Sequence, residues 1–231
     1  MRPRVVDLVG LPGTGKSTLF RALRRSDPQR IASVHLDRPE HLPRVLRHAV
    51  RLAVPFAVLY PRISRRRWHK LRQMVTLATY HDLVAAQRSS PPDVILLDEG
   101  AVNLLSLIQK GLAPKPESNS GAFEKYWERT LARWAKSLDL LVVLEASDEV
   151  LYQRIRDRNQ KHPLQGGSWT QATAFFLRTR MRHDLILAGL QRQKNAPAVI
   201  RIDTGSTAAP ELAAQLRETL LAPQLQVDRS R

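Results

Sequence analysis

The chain has 231 residues, 43% of them hydrophobic, enough for one globular domain with a sizeable core. It has no cysteine, which excludes disulfides and thiolate metal sites, and no uncharged apolar run long enough to cross a bilayer. A formal net charge of +16 favours polyanionic partners: nucleotides, phosphorylated metabolites, nucleic acid or an anionic membrane surface.

The first element is the apolar run Val5–Val9, which reads as a buried strand. Only Met1-Arg-Pro-Arg precedes it, so no leader is expected ahead of it, and a cytoplasmic location is expected. Gly10-Leu-Pro12-Gly13-Thr14-Gly15-Lys16-Ser17-Thr18 follows, matching the phosphate-loop pattern of two glycines, then Lys and Ser or Thr. Its glycines let the backbone curl so that successive N–H groups form a nest for phosphate oxygens. Lys16 supplies a point charge for the outer phosphates, and the Ser17 hydroxyl suits a Mg²⁺ ligand. Leu19, Phe20 and Leu23 sit at helical spacing, so a helix starting near Lys16 directs its positive end at the same anion.

A weaker strand is expected over Ile31–Leu36, and Pro39 keeps Asp37 and Arg38 extended at its carboxyl end. From Arg62 to Arg72 the chain carries six Lys or Arg residues and no acid. It is either a solvated basic face or a grip for an anion. Trp68, Leu71, Val75 and Ala78 step by three and four and are expected to form a helical core stripe. Val94–Leu97 is a buried strand ending in Asp98-Glu99-Gly100. At that place Asp98 can hold Mg²⁺ opposite Ser17, or cap the helix starting at Ala101.

The segment 111–121 is rich in Pro, Gly and Ser and is expected to be a loop. Phe123, Trp127, Leu131, Trp134 and Leu138 mark another helix, and Leu140–Leu144 another strand. A helix carrying Leu151, Arg154 and Arg158 then places the two guanidiniums on one face, suited to phosphoryl transfer. Residues 158–168 hold Asn159, Pro163, Gly166 and Gly167 among basic residues and are expected to be mobile. Leu177, Met181, Leu185 and Ala188 give a further expected core stripe, and Ala198–Ile202 the last strand, ahead of Asp203-Thr204-Gly205. The tail over 223–231 is expected to fray.

Buried strands alternating with amphipathic helices imply an α/β fold with helices on both faces of a parallel sheet, one domain over 1–222. The glycine loop, the strand ending at Asp98, the Leu151/Arg154/Arg158 pattern and the Asp203-Thr-Gly loop together resemble the P-loop nucleoside and nucleotide kinases, particularly the thymidylate-kinase-like and deoxynucleoside-kinase-like branch. That resemblance implies a three-layer P-loop NTPase fold about a central, roughly five-stranded parallel sheet, an ATP donor, Mg²⁺, a small lid near 158–168, Arg154 and Arg158 at the donor phosphates, and Thr204 and Gly205 near the base. It also implies an acid at the end of the second strand as catalytic base, here Asp37, with Glu99 as its rival. Two departures point away from a thymidine monophosphate acceptor. Val9, not an acid, precedes the first loop glycine, Asp7 lying two positions earlier, and Asp98-Glu99-Gly100 stands where an acid–Arg pair is usual.

The leading expectation is an ATP-dependent kinase acting on a small acceptor, phosphorylated ones included. Asn-Lys-x-Asp and Leu-Ser-Gly-Gly-Gln are both absent, which argues against a GTPase and a transporter-type ATPase. A nucleotide-hydrolysing switch and a polynucleotide kinase remain the alternatives, the latter on charge alone. The sequence leaves the oligomeric state open, a dimer included.

Overall fold

The computed structural model of the chain describes residues 2–34, 39–59, 65–88, 92–98, 100–109, 120–158 and 162–222. Asp37, Glu99, most of the loop expected over 111–121, three residues of the expected lid and the 223–231 tail lie outside them. So do the side chains of Arg65, Arg66 and Arg67.

The strands are β1 (Arg4–Gly10), β2 (Ile31–Ser33), β3 (Val94–Leu97), β4 (Leu140–Glu145) and β5 (Ala198–Asp203). They form one all-parallel sheet in the order β2-β3-β1-β4-β5. The central strands are apolar on both sides because helices cover both faces. Val5, Ile95, Leu141 and Val143 meet α3 (Arg65–Gln87), α4 (Ala101–Gln109), α5 (Ser120–Ser137) and α7 (Trp169–Gln191) on one face. Val6, Leu8, Leu96 and Val142 meet α1 (Lys16–Ser26) and α8 (Ala209–Leu221) on the other. The remaining helices are α2 (Leu42–Leu59), packed on α3, and α6 (Asp148–Arg156).

Local chemistry sets several helix ends. Ser147 caps α6, its hydroxyl accepting the Val150 N–H, with Asp148 and Glu149 in the first turn. Ser168 and Gln171 form a reciprocal capping box that starts α7.

Four expectations about the helices change. The α7 stripe lies in the opposite phase: Leu177, Met181 and Leu185 are exposed, while Ala172, Phe176, Thr179, His183, Ile186 and Leu190 are buried. The buried face is the less apolar one in text, because it includes Thr179, His183 and Gly189. Gly189 lets Leu131 of α5 approach so closely that an added Cβ would sit 2.9 Å from its Cδ1. On α3 the core stripe is Met74, Leu77, Tyr80, Leu83 and Val84 together with Val75, whereas Trp68 is exposed. Helix α6 ends at Arg156, with Asp157 as its C-cap bonded to the Gln153 side chain, so Arg158 follows the helix instead of sharing its face. Finally, α5 begins at Ser120, so Gly121 belongs to a helix.

Candidate functional site

Strands β1 and β3 are neighbours, but their following helices leave on opposite faces of the sheet, α1 on one and α4 on the other. That divergence opens a crevice at the carboxyl ends, where ligands of open α/β sheets bind. A cleft of about 710 Å³ lies there, lined among others by Gly13, Lys16, Ser17, Asp98, Arg154 and Thr204.

The glycine loop forms its floor. Gly13 and Gly15 take φ of +93° and +83°, conformations a side chain resists. Thr14 is buried and closes the turn, its N–H (3.2 Å) and hydroxyl (2.8 Å) both donating to Leu11 O. Gly15 is the N-cap of α1, no side chain caps this end, and no acid occupies its first turn. The positive end of α1 therefore faces the cleft uncompensated by any carboxylate of its own. Lys16 Nζ donates to Gly10 O (2.6 Å) and Leu11 O (2.9 Å), which holds the ammonium over the loop. Ser17 is exposed and Thr18 faces out of the core beside it.

Arg154 ties three walls together. Its guanidinium donates to Thr204 O (2.7 Å), Thr204 Oγ1 (3.3 Å) and Gly13 O (3.4 Å). Thr204 is buried, with its N–H and hydroxyl both donating to Glu145 O. Its side chain thus joins β4 to the loop after β5, leaving Gly205 exposed, its N–H donating to Asp203 Oδ1. Arg158 also lines the cleft, and its carbonyl accepts from Gln165 (2.7 Å). Residues 162–168 form a turn pinned by Tyr152, whose hydroxyl donates to Gly167 O (3.0 Å). Leu164 packs there with Leu11, Leu151, Ile155 and Phe176.

Two polar groups behind this cleft were not singled out as site residues by the sequence reasoning. Asp7, in the middle of β1, is fully buried, and its Oδ2 accepts the Val102 N–H (3.0 Å) at the start of α4. It, and not Asp98, supplies the carboxylate that meets the α4 amides. Asp98 stays at the cleft, its carbonyl accepting from the Tyr80 hydroxyl (3.1 Å). The contact with α4 is possible because residue 100 is glycine: an added Cβ would lie 1.8 Å from Asp7 Oδ1. The signal was available as one acid inside an otherwise apolar strand. The second group is His183 on α7, buried, its Nε2 without a hydrogen-bond partner among the described residues. Burial, then Lys16 and Arg182 nearby, push its pKa down to about 4, so the imidazole is neutral at physiological pH.

Burial pushes the Asp7 carboxyl up to about 7, against the opposing pull of the Val102 and Ala101 amides and Lys16. Between its ordinary pKa near 3.8 and about 7, the folded chain binds a proton here that the unfolded chain does not. Asp7 therefore makes stability fall as pH rises through that window. The stability of the wild type relative to Asp7→Asn is expected to fall by roughly 2 kcal/mol between pH 5 and pH 8. Urea unfolding of both proteins at each pH checks this, since every other titrating group is common to the two.

No protein-family model matches the chain, and no curated protein matches it in sequence. Solved structures do match in shape. A deoxyadenosine kinase from M. mycoides with bound dCTP aligns over 93% of this chain and 99% of its own, with a TM-score of 0.52 and 11% identity. The thymidylate kinase from Candida albicans aligns over 95% of this chain and 91% of its own, with a TM-score of 0.53 and 14% identity. The fold is that of the P-loop nucleoside and nucleotide kinases. At these identities the likeness concerns the backbone and its topology. Among the described residues no helix is long and apolar enough to cross a membrane. Nor do three His, Cys, Asp or Glu side chains gather among them to hold a metal. Ser17 and Asp98 nevertheless line one cleft with oxygen donors, and such a pair fits Mg²⁺, which keeps several waters and shares itself with substrate phosphates.

Proposed function

We propose that the chain is an ATP-dependent phosphotransferase that moves the γ-phosphoryl group to a hydroxyl of a small acceptor, phosphorylated acceptors included. One observation carries the reading: a phosphate loop, a strand-end carboxylate and a buried-edge arginine converge on one cleft at the carboxyl ends of β1, β3 and β4. The N–H groups of residues 13–18 receive the donor phosphates, with Lys16 on the outermost ones. Ser17 and Asp98 hold Mg²⁺, which neutralises phosphate charge when bound. Arg154, already fixed against Gly13 and Thr204, and Arg158 beside it face the negative charge that spreads over the phosphoryl oxygens during transfer. Thr204 and Gly205 border the donor base. As the acceptor oxygen bonds to phosphorus and the bond to the nucleoside diphosphate breaks, the acceptor proton passes to a carboxylate. Asp37 is the proposed base and Glu99 its rival. The segment 158–168 is the proposed lid over the donor.

The test is a screen of small hydroxyl-bearing acceptors with γ-labelled ATP, beside a control without acceptor. Label transferred to an acceptor well above bare hydrolysis supports the reading. Hydrolysis unaffected by every acceptor favours a nucleotide switch instead. With an acceptor in hand, Asp37→Asn is expected to lower turnover by roughly 10²–10⁴ with ATP binding retained. If Glu99→Gln alone does so, the base is Glu99.

A further inference from the structure

Helix α2 carries an apolar strip on the side facing away from the protein. Leu42, Leu46, Val50 and Val54 recur every four residues and are 67%, 64%, 70% and 72% exposed. Steps of four keep them on one gently winding strip about 18 Å long. Ala53 and Ala57 extend the same surface and are exposed too. The opposite side of the helix already has its partners. His48 Nε2 lies 2.8 Å from Asp82 Oδ2 on α3, Phe56 is buried in the core, and Leu52 packs against it. Core packing therefore does not explain the strip, and four large aliphatic side chains left in water along one helix mark a docking surface.

Charge identifies the occupant. Arg44, Arg47 and Arg51 run along one flank of the strip, and α2 contains no Asp or Glu. Among the described residues Arg47 is the one of the three paired with a carboxylate, Asp82, at 2.7 Å. Further along the sequence come Arg62, Arg65-Arg66-Arg67 and then Trp68, which is 60% exposed, an aromatic of the kind that settles at membrane–water interfaces. A second copy of the chain would bring another +16 and a second acid-free α2 to the contact. A convex apolar ridge with a basic flank instead has the form of a helix lying in the plane of an anionic bilayer, methyl groups in the acyl boundary and guanidiniums at the headgroups.

The geometry points to α2 as a membrane-surface anchor that docks the protein on anionic phospholipid. It lies on the bilayer and does not span it.

The test is flotation of the full chain with vesicles of phosphatidylcholine alone and of phosphatidylcholine mixed with phosphatidylglycerol. The chain is expected to float with the anionic vesicles only, and less so as salt rises. Leu46→Glu/Val50→Glu is expected to abolish flotation while ATP binding stays unchanged. Arg44→Gln and Arg51→Gln are each expected to weaken it about fivefold. Leu177→Gln on the exposed strip of α7 is expected to change nothing. The proposal is overturned by no flotation with either vesicle, by flotation that the α2 variants leave intact, or by a dimer by sedimentation that Leu46→Glu/Val50→Glu splits in a protein that ignores vesicles. The last assigns the strip to a second copy. Binding to an acidic peptide without binding to vesicles would also overturn it. Should the double glutamate variant fail to fold, the two arginine variants decide alone.

Discussion

Lys16→Ala is expected to fold and to lose phosphoryl transfer by roughly 10²–10³-fold or more. Folding survives because the hydrogen bonds that the ammonium makes to the carbonyls of Gly10 and Leu11 are each worth only about 0.5–1.5 kcal/mol net. The loop keeps its shape without them: Gly13 and Gly15 hold their left-handed conformations, and Thr14 stays bonded to Leu11. Activity does not survive, because Lys16 is the cation within the loop itself. Arg154 is committed to the carbonyls of Thr204 and Gly13. Circular dichroism and transfer of label from ATP, measured on one preparation, separate the two effects. Turnover near normal in a folded Lys16→Ala protein removes the phosphate-loop reading altogether.

Gly100→Ala is expected to be the most damaging single-methyl change near the cleft. The new Cβ would lie 1.8 Å from Asp7 Oδ1 and 2.4 Å from Asp7 Cγ. Asp7 cannot swing aside, since it is 1% exposed and holds the Val102 N–H. Relief has to come from moving α4 away from β1, at a cost of about 3 kcal/mol, the upper part of the usual range for overpacking. In a chain of this size that lowers Tm by about 6–12 °C. Adding Asp7→Ala removes the obstruction, so the double variant is expected to be more stable than Gly100→Ala alone. A thermal melt of the two single variants and the double gives the coupling directly. Additive losses would mean that the two residues do not oppose each other across this contact.

Much of the architecture was legible because a parallel sheet covered on both faces writes itself as short uninterrupted apolar runs. Val94–Leu97 was read residue for residue, and β1, β4 and β5 each to within one residue at either end. Ile31–Leu36 was read too long, since β2 is an edge strand of three residues. The phase of α7 was illegible for a physical reason. Both of its faces carry apolar residues at helical spacing, and packing against α4 and α5 chose the face with Thr179, His183 and Gly189. Asp7 was visible as an oddity, but its role rests on a contact across 95 residues of sequence, which no local pattern encodes. Arg158 was placed on a helix face by spacing alone, whereas α6 ends two residues earlier at Arg156, where Asp157 is the C-cap and its carboxylate accepts from the Gln153 side chain. The strip on α2 shows the same limit as the α7 stripe: helical periodicity reports that a face is apolar, not whether anything covers it.

The most direct test of the central claim, that this cleft receives the phosphates of a nucleotide, is calorimetric titration of the wild type with AMP, ADP and ATP, each with and without Mg²⁺. The account predicts a ladder in which affinity rises with each phosphate, Mg²⁺ strengthens ATP binding, and Asp98→Asn removes the Mg²⁺ effect while leaving the metal-free affinities in place. Equal affinities for AMP and ATP, or no binding of any of the three, would contradict it.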